Sequence, residues 1–408
     1  MTMLAATMMA SRVRRELAAF VAVVVAVEAA VGWACPFCGV VGESLAGRRD
    51  RSAAVAVGES AGPVTRSAAG DRGQPFTILQ PLTSGSRSFG SVVAGDAVVA
   101  RVREPVAGTA VLFATAAVDA AGTRRLDWEA IEADETLIGH VVAAPATSVR
   151  AAERLAWFAR RLEHPEAAIA ADAFTEFGLA PFAAVRAAAG GLDAARLRAW
   201  VHEPGIDPAR RGFYGLALGL AAAATNDAEA RRAAIETLRD SAAAPADDFR
   251  AGFDGILGGL LVAEGDAGLD WIVARGLLDA TSGRARPLDQ KHLLAALRFA
   301  WECLAETVPR PRIVAATRAL LQTPVVAADA AIDLARSEAW DAVDDVAALW
   351  DGLGGDDPLV RRAVAGYLAA CPTPAGRHHV EAIRVRDPER LAAALAAAAL
   401  PPATAAAP

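Results

Sequence analysis

The spacing of apolar residues changes near residue 147. Before it, the apolar positions follow a period of two. Val98, Ala100 and Val102 alternate with Val99, Arg101 and Arg103, as in a strand with one face inward. The same reading predicts strands at Ala53–Val57, Pro75–Leu82, Ala97–Arg103, Thr109–Ala116 and Arg125–Ile131. Gly95-Asp96 and Ala107-Gly108 supply turn chemistry between them. Glu135–Ala143 fits a strand or the first turns of a helix. The stretch from Gly39 to Gly73 is rich in Gly, Ser, Arg and Ala and reads as loop around one short strand. Residues 35–145 are therefore expected to form a small β-barrel or sandwich of five or six strands, of OB-like size.

After residue 147 the period becomes helical. Leu155, Phe158 and Leu162 recur at three- and four-residue spacing. The clearest segment is Asp357–Leu368, where Val360, Ala363, Val364 and Leu368 share one face behind Pro358. This proline-started helix, with Arg361 beside the apolar stripe, resembles the second helix of a HEAT-like repeat. Similar starts occur at Pro165, Pro208, Pro245, Pro287 and Pro324, at successive spacings up to Pro358 of 43, 37, 42, 37 and 34 residues. Two-helix repeats have such periods. Proline suits a first turn because its missing N–H has no partner to lose there. The intervening segments Leu192–Val201, Asp227–Arg239, Ala267–Leu278, Pro311–Leu321 and Trp340–Leu349 fit the first helix of each pair. Pro181–Ala189 reads as an extra helix, and Asp387-Pro388 as the start of a last copy. The expected fold class is α+β multidomain, with a HEAT-like α-helical solenoid over residues 148–390 and an Ala/Pro-rich tail over 391–408.

The first 34 residues read differently. Arg12, Arg14 and Arg15 precede an apolar run from Leu17 to Val31, and Gly32-Trp33-Ala34 places small residues before Cys35. This is the layout of a cleaved signal peptide. An uncleaved anchor is the rival reading. Cleavage removes three Arg and two Glu, which moves the formal charge from −7 to −8. The acidic balance argues against a nucleic-acid partner. Lys291 is the one lysine among 41 basic residues, which argues against a Walker-type phosphate loop. The expected location is secreted or periplasmic, with no membrane span after cleavage.

Cys35-Pro36-Phe37-Cys38 has the C-x-x-C spacing of redox and metal sites. Gly39 follows where haem attachment needs histidine. Three readings are open: a disulfide staple, within the pair or to Cys303 or Cys371; thiol–disulfide exchange; and a metal contact. The staple is preferred, because no strand precedes the motif as it does in glutaredoxin-like enzymes. An N-terminal Cys-x-x-Cys before a small β domain also resembles netrin-like modules, which include inhibitors of metalloproteinases. That resemblance implies a free Cys35 amino group presented to a metal.

Other chemistry-bearing residues have plainer readings. Gly58-Glu59-Ser60-Ala61-Gly62 matches the nucleophile-elbow spacing, but Pro63 and a loop follow where a helix is needed. His378 and Glu381 have three-residue helical spacing and are the one candidate metal pair, with a solvated helix face preferred. His164 and His202 read as end caps, and Lys291-His292 as an exposed early helical turn. Cys303 and Cys371 lie in different repeats and read as buried thiols. Gly215 and Gly219 read as close helix packing, and Phe213–Ala224 is too short to span a membrane. Arg361 and Arg362 read as buttresses between helices. No cofactor is expected.

Cys35–Cys38, His164-Pro165, Ala171-Asp172-Ala173 and Val360–Pro372 together resemble a family of uncharacterised secreted bacterial proteins. These join a signal peptide, a mature N-terminal CPFC, a small β region and helical repeats. The resemblance implies an exported protein-interaction module rather than a particular reaction. Thiol–disulfide exchange or an inhibitor-like metal contact through Cys35 and Cys38 is the alternative.

Overall fold

A computed structural model describes residues 42–66, 70–83, 92–118, 124–244, 250–279 and 286–399. The chain is α+β and divides into two compact units between Ala188 and Ala189.

Among the described residues of the first unit, α1 (Leu45–Arg51) comes first, followed by six strands: β1 (Ala54–Ser60), β2 (Thr65–Arg66), β3 (Arg72–Pro81), β4 (Ala97–Arg101), β5 (Thr109–Val118) and β6 (Arg124–Glu132). Five of them form a ring, in the order β1-β5-β6-β4-β3 and back to β1, with β2 added beside β3. Neighbours are antiparallel except β4 and β6, which run parallel for two residue pairs, Ala100 with Trp128 and Arg101 with Glu129. Inside lie Ala54, Ala56, Phe76, Ile78, Ala100, Leu112 and Trp128. Small alanines let the narrow barrel close around two aromatic rings.

Outside the barrel, Val55, Val111 and Phe113 form a second core with Leu137 and Val141 of α2 (Glu135–Ala143) and with Ile169. Thus β1 is covered on both faces, and its first five residues are all buried. Glu135–Ala143 resolves as helix because Leu137 and Val141 lie four apart against this patch. Three more helices complete the unit: α3 (Ala151–Ala159), α4 (Ala167–Leu179) and α5 (Phe182–Ala188). α1 departs from the loop expected there. It is seven residues long and buries only Ala46, so its apolar periodicity is too short to read.

The second unit contains α6 (Ala194–His202), α7 (Pro208–Ala224), α8 (Ala228–Ala243), α9 (Phe253–Glu264), α10 (Asp266–Ala274) and α11 (Pro287–Cys303). It continues with α12 (Arg310–Ala319), α13 (Ala327–Arg336), α14 (Val343–Ala348), α15 (Pro358–Ala370), α16 (Pro374–Arg386) and α17 (Pro388–Ala399). Helices two apart in sequence pack on each other: α7 on α9, α9 on α11, α13 on α15 and α15 on α17. α7 and α9 run parallel, because Gly212 meets Gly252 and Gly255 whereas Gly219 meets Gly259. Their backbones touch there. A methyl group on Gly219 or Gly255 would overlap the facing backbone, which confirms close packing as the role of Gly215 and Gly219. α7 is buried from Gly212 to Ala222, which accounts for its apolar run. Among the described residues, no helix is long and apolar enough to cross a membrane.

Proline marks the first helical residue of α7, α11, α15, α16 and α17. Asp207 caps Ala209 N–H at 2.9 Å and Asp357 caps Leu359 N–H at 2.8 Å. Pro165 and Pro324 instead sit in the turns before α4 and α13, and Pro245 lies outside the described residues. On α15, Val360, Ala363, Val364 and Leu368 are buried. Arg361 donates to the carbonyls of Gly354 and Gly355, so it braces the turn before its own helix. Trp340–Leu349 is a short 3-10 turn, Trp340–Ala342, running into α14.

Ion pairs join helices two apart in the chain, in a pattern not read from the sequence. Arg312 of α12 reaches Asp266 and Asp270 of α10. Arg318, also on α12, reaches Asp341 and Asp345 beside and on α14. His379 of α16 reaches Asp344 of α14 at 2.7 Å. Arg298 of α11 reaches Asp329 and Asp333 of α13.

Candidate functional site

A buried, multiply bonded charged cluster lies in the first unit, against the start of α1. α4 is Ala-rich, but Asp172 and Glu176 stand four apart and so share a face. Both are buried, at 4% exposure. Asp172 Oδ2 lies 2.7 Å from Nε2 of His140 on α2, and its Oδ1 accepts the Leu45 N–H at 2.6 Å. One carboxylate thus ties α4, α2 and the start of α1. Burying a charge is costly unless it is paired and hydrogen-bonded, and Asp172 is both. The His140 ring packs 5.2 Å from Trp157 and 6.1 Å from Phe158, both on α3. Glu176 pairs with Arg154 of α3.

The rest of α1 is held as firmly. Ser44 caps Gly47 N–H at 3.0 Å. Arg49 donates to the carbonyls of Val141 and Ala144 at the end of α2, at 2.8 and 2.6 Å. Asp50 accepts the Thr147 N–H at 2.5 Å. Burial pushes the Asp50 carboxyl up, but the bonds from Thr147 and Arg49 outweigh it and hold the group below the ordinary carboxylate range.

Two clefts flank this helix. One, of about 400 Å³, is lined by Glu43, Ser44, Asp50, Arg51, Arg154 and Glu176. The other, of about 950 Å³, lies where β4 and β6 part beyond their short parallel pairing. Arg48, Arg72, Arg101 and Arg103 line it with Glu129 and Glu132. Many of these charges are spent on each other: Glu129 bridges Arg48 at 3.4 Å and Arg101 at 2.8 Å. Glu43 lines both clefts, so the chain enters α1 between them. The buried cluster is an anchor: its carboxylates and the Ser44 hydroxyl are engaged in holding helices together.

The residues singled out from sequence are dispersed. Cys35 and Cys38 lie outside the described residues. Ser60 ends β1, its hydroxyl accepts from Gln74 Nε2 at 2.7 Å, and strand β2 rather than a helix comes next. That is not a nucleophile elbow. His378 and His379 stand with rings 6.0 Å apart on α16, and Glu381 pairs with Arg384 at 2.6 Å. Among the described residues, no three His, Cys, Asp or Glu side chains are placed to hold a metal. His164 Nδ1 accepts the Glu166 N–H at 3.0 Å, an end-capping role.

One correction concerns His292, expected on an exposed turn. It is buried, edge-on to Phe253 at 5.9 Å and 3.7 Å from Asp254, because α11 turns this face toward α9. Cys371 is a buried thiol 3.2 Å from the Thr373 hydroxyl and is not bonded to Cys303. Asp172 and Glu176 were the residues sequence reasoning passed over as a site. Their signal was two acids at four-residue spacing beside the stripe Ile169, Ala173 and Phe177. Compared with protein-family models, curated proteins and solved structures, the chain finds no match.

Proposed function

We propose that the chain is an exported protein-interaction module in which a HEAT-like helical array supplies the main binding surface and the barrel supplies a second. The observation that carries this reading is the stacking of alternate helices, α7 parallel on α9 and α9 on α11, with Arg–Asp bridges from α12 to α10 and to α14. A repeat array of this kind presents a long surface of similar elements, which suits partner binding more than a small substrate. The strand order of the barrel, with one parallel pair, supports an OB-like reading of the first unit. The signal-peptide layout of residues 1–34 supports export to the periplasm or beyond. The balance of −7 supports a protein partner over nucleic acid.

Thiol exchange through Cys35 and Cys38 is the weaker reading. An exchange thiol is activated by a helix N-terminus close after it. Among the described residues the first helix, α1, starts at Leu45, and its Leu45 and Gly47 N–H groups are taken by Asp172 and Ser44. An insulin-reduction assay on the mature chain separates the two. The interaction reading predicts no turnover above a Cys35→Ser/Cys38→Ser variant; turnover lost in that variant would establish the exchange enzyme.

A further inference from the structure

The second unit contains two stacks of helices that meet at one helix. α7, α9 and α11 form the first stack, and α13, α15 and α17 form the second. Inside a stack, packing reaches backbone against backbone, as where Gly219 meets Gly259. Between α11 and α13 the stacking is interrupted. Among the described residues, close packing between the helices before α12 and those after it runs through α12 and the 3-10 turn Leu320–Gln322 that follows it. α12 is itself thinly rooted, with Ile313, Ala316 and Thr317 as its buried residues.

Three arginines span this junction, and each is gripped in the same way. Arg312, near the start of α12, reaches back to Asp266 at 3.0 Å and to Asp270, both on α10. Arg318, near its end, reaches forward to Asp341 at 3.4 Å and to Asp345. Arg298 of α11 reaches Asp329 at 3.7 Å and Asp333, both on α13. Each pair of aspartates is four residues apart, about one helical turn, where like charges repel. A guanidinium between them relieves that repulsion and pairs with both acids, so each grip is a small network rather than one isolated exposed pair. The grips are open to solvent: the Arg312 side chain is 41% exposed and that of Asp341 is 74% exposed. Salt screens such charges, because the Debye length falls from about 10 Å at 0.1 M to about 3 Å at 1 M. The apolar contacts inside each stack are not weakened in this way.

We infer that α12 is a hinge held shut by the three arginine grips, so that the two stacks part as ionic strength rises. Opening swings the stacks about α12 and leaves each one packed internally. The hinge does not depend on what the unit binds.

The test is double electron–electron resonance on the full mature chain. Nitroxides are carried by unnatural amino acids at Glu236 of α8 and Glu389 of α17, both exposed and outside the grips. At about 0.05 M sodium chloride one narrow distance distribution is expected. At about 1 M a longer, broader population should grow about fivefold or more, the scale of losing one to a few exposed ion pairs. Arg298→Gln/Arg312→Gln/Arg318→Gln should show the broad distribution at low salt and no further response to salt, with unchanged circular dichroism. Asp270→Asn/Asp345→Asn, which removes one arm from two grips, should fall between that variant and the wild type. The same wild-type distribution at both salt concentrations, or a full salt response retained in the arginine variant, would overturn the hinge.

Discussion

Asp172 Oδ1 accepts the backbone N–H of Leu45 at 2.6 Å across 127 residues of sequence, while its other oxygen holds His140. The start of α1 is thereby fixed by a helix that follows the barrel. Removing one partner of a buried pair leaves the other uncompensated, so Asp172→Ala is expected to cost about 3–5 kcal/mol. Urea denaturation of the variant measures this. A double-mutant cycle with His140→Ala should give a coupling of about 1 kcal/mol or more, and a cycle that closes on simple additivity would refute the pairing.

The glycine contact between α7 and α9 reverses the usual effect of alanine. Gly219→Ala should destabilise by about 1–3 kcal/mol, since the methyl meets the Gly259 backbone. Gly139→Ala, on an exposed helical site with nothing within 4 Å, should stabilise by roughly 0.5–1 kcal/mol. Opposite signs in thermal unfolding are the expected outcome.

Much of the β unit was legible because each strand carries an apolar face of period two. Five strand segments were located, and the barrel closes around their alternating Ala, Phe and Ile residues. The helical half was legible from Pro208, Pro287 and Pro358, where aspartate or a first-turn proline sets the helix start. The site was not legible. Asp172, His140 and Leu45 are brought together by tertiary packing, and no local spacing encodes a contact over 127 residues. α1 was hidden for another reason: its stability comes from distant polar partners, not from an apolar stripe of its own.

Tyr367 gives an alkaline signature. It is buried, and its hydroxyl donates to the Ala339 carbonyl at 2.5 Å. Burial pushes its pKa above the ordinary value. The unfolded chain ionises near pH 10 while the folded chain does not, so the protective effect is complete below about pH 10 and is lost as pH rises beyond it. Tyr367→Phe should cost about 1 kcal/mol at neutral pH and flatten the decline in stability above pH 10. Chemical denaturation midpoints between pH 8 and 11 test both parts.

Asp50 gives the acid counterpart. Its folded pKa is lowered, so its contribution is full above the unfolded value of about 4 and is lost as pH falls through the folded value. Asp50→Asn should lower stability at pH 7 and reduce the slope of stability against pH between 4 and 2. Parallel curves for wild type and variant would contradict the bonds assigned to Thr147 and Arg49.

The central claim is that the mature chain binds a protein partner through its helical array and without thiol chemistry. Its most direct test is capture by the full mature chain from the cell-envelope fraction, beside the Cys35→Ser/Cys38→Ser variant, followed by hydrogen exchange of the purified complex. The account predicts one saturable partner, retained equally by both chains, with new protection on exposed faces of α8 to α16. Capture that is lost in the variant, protection confined to the barrel, or no retained partner would contradict it.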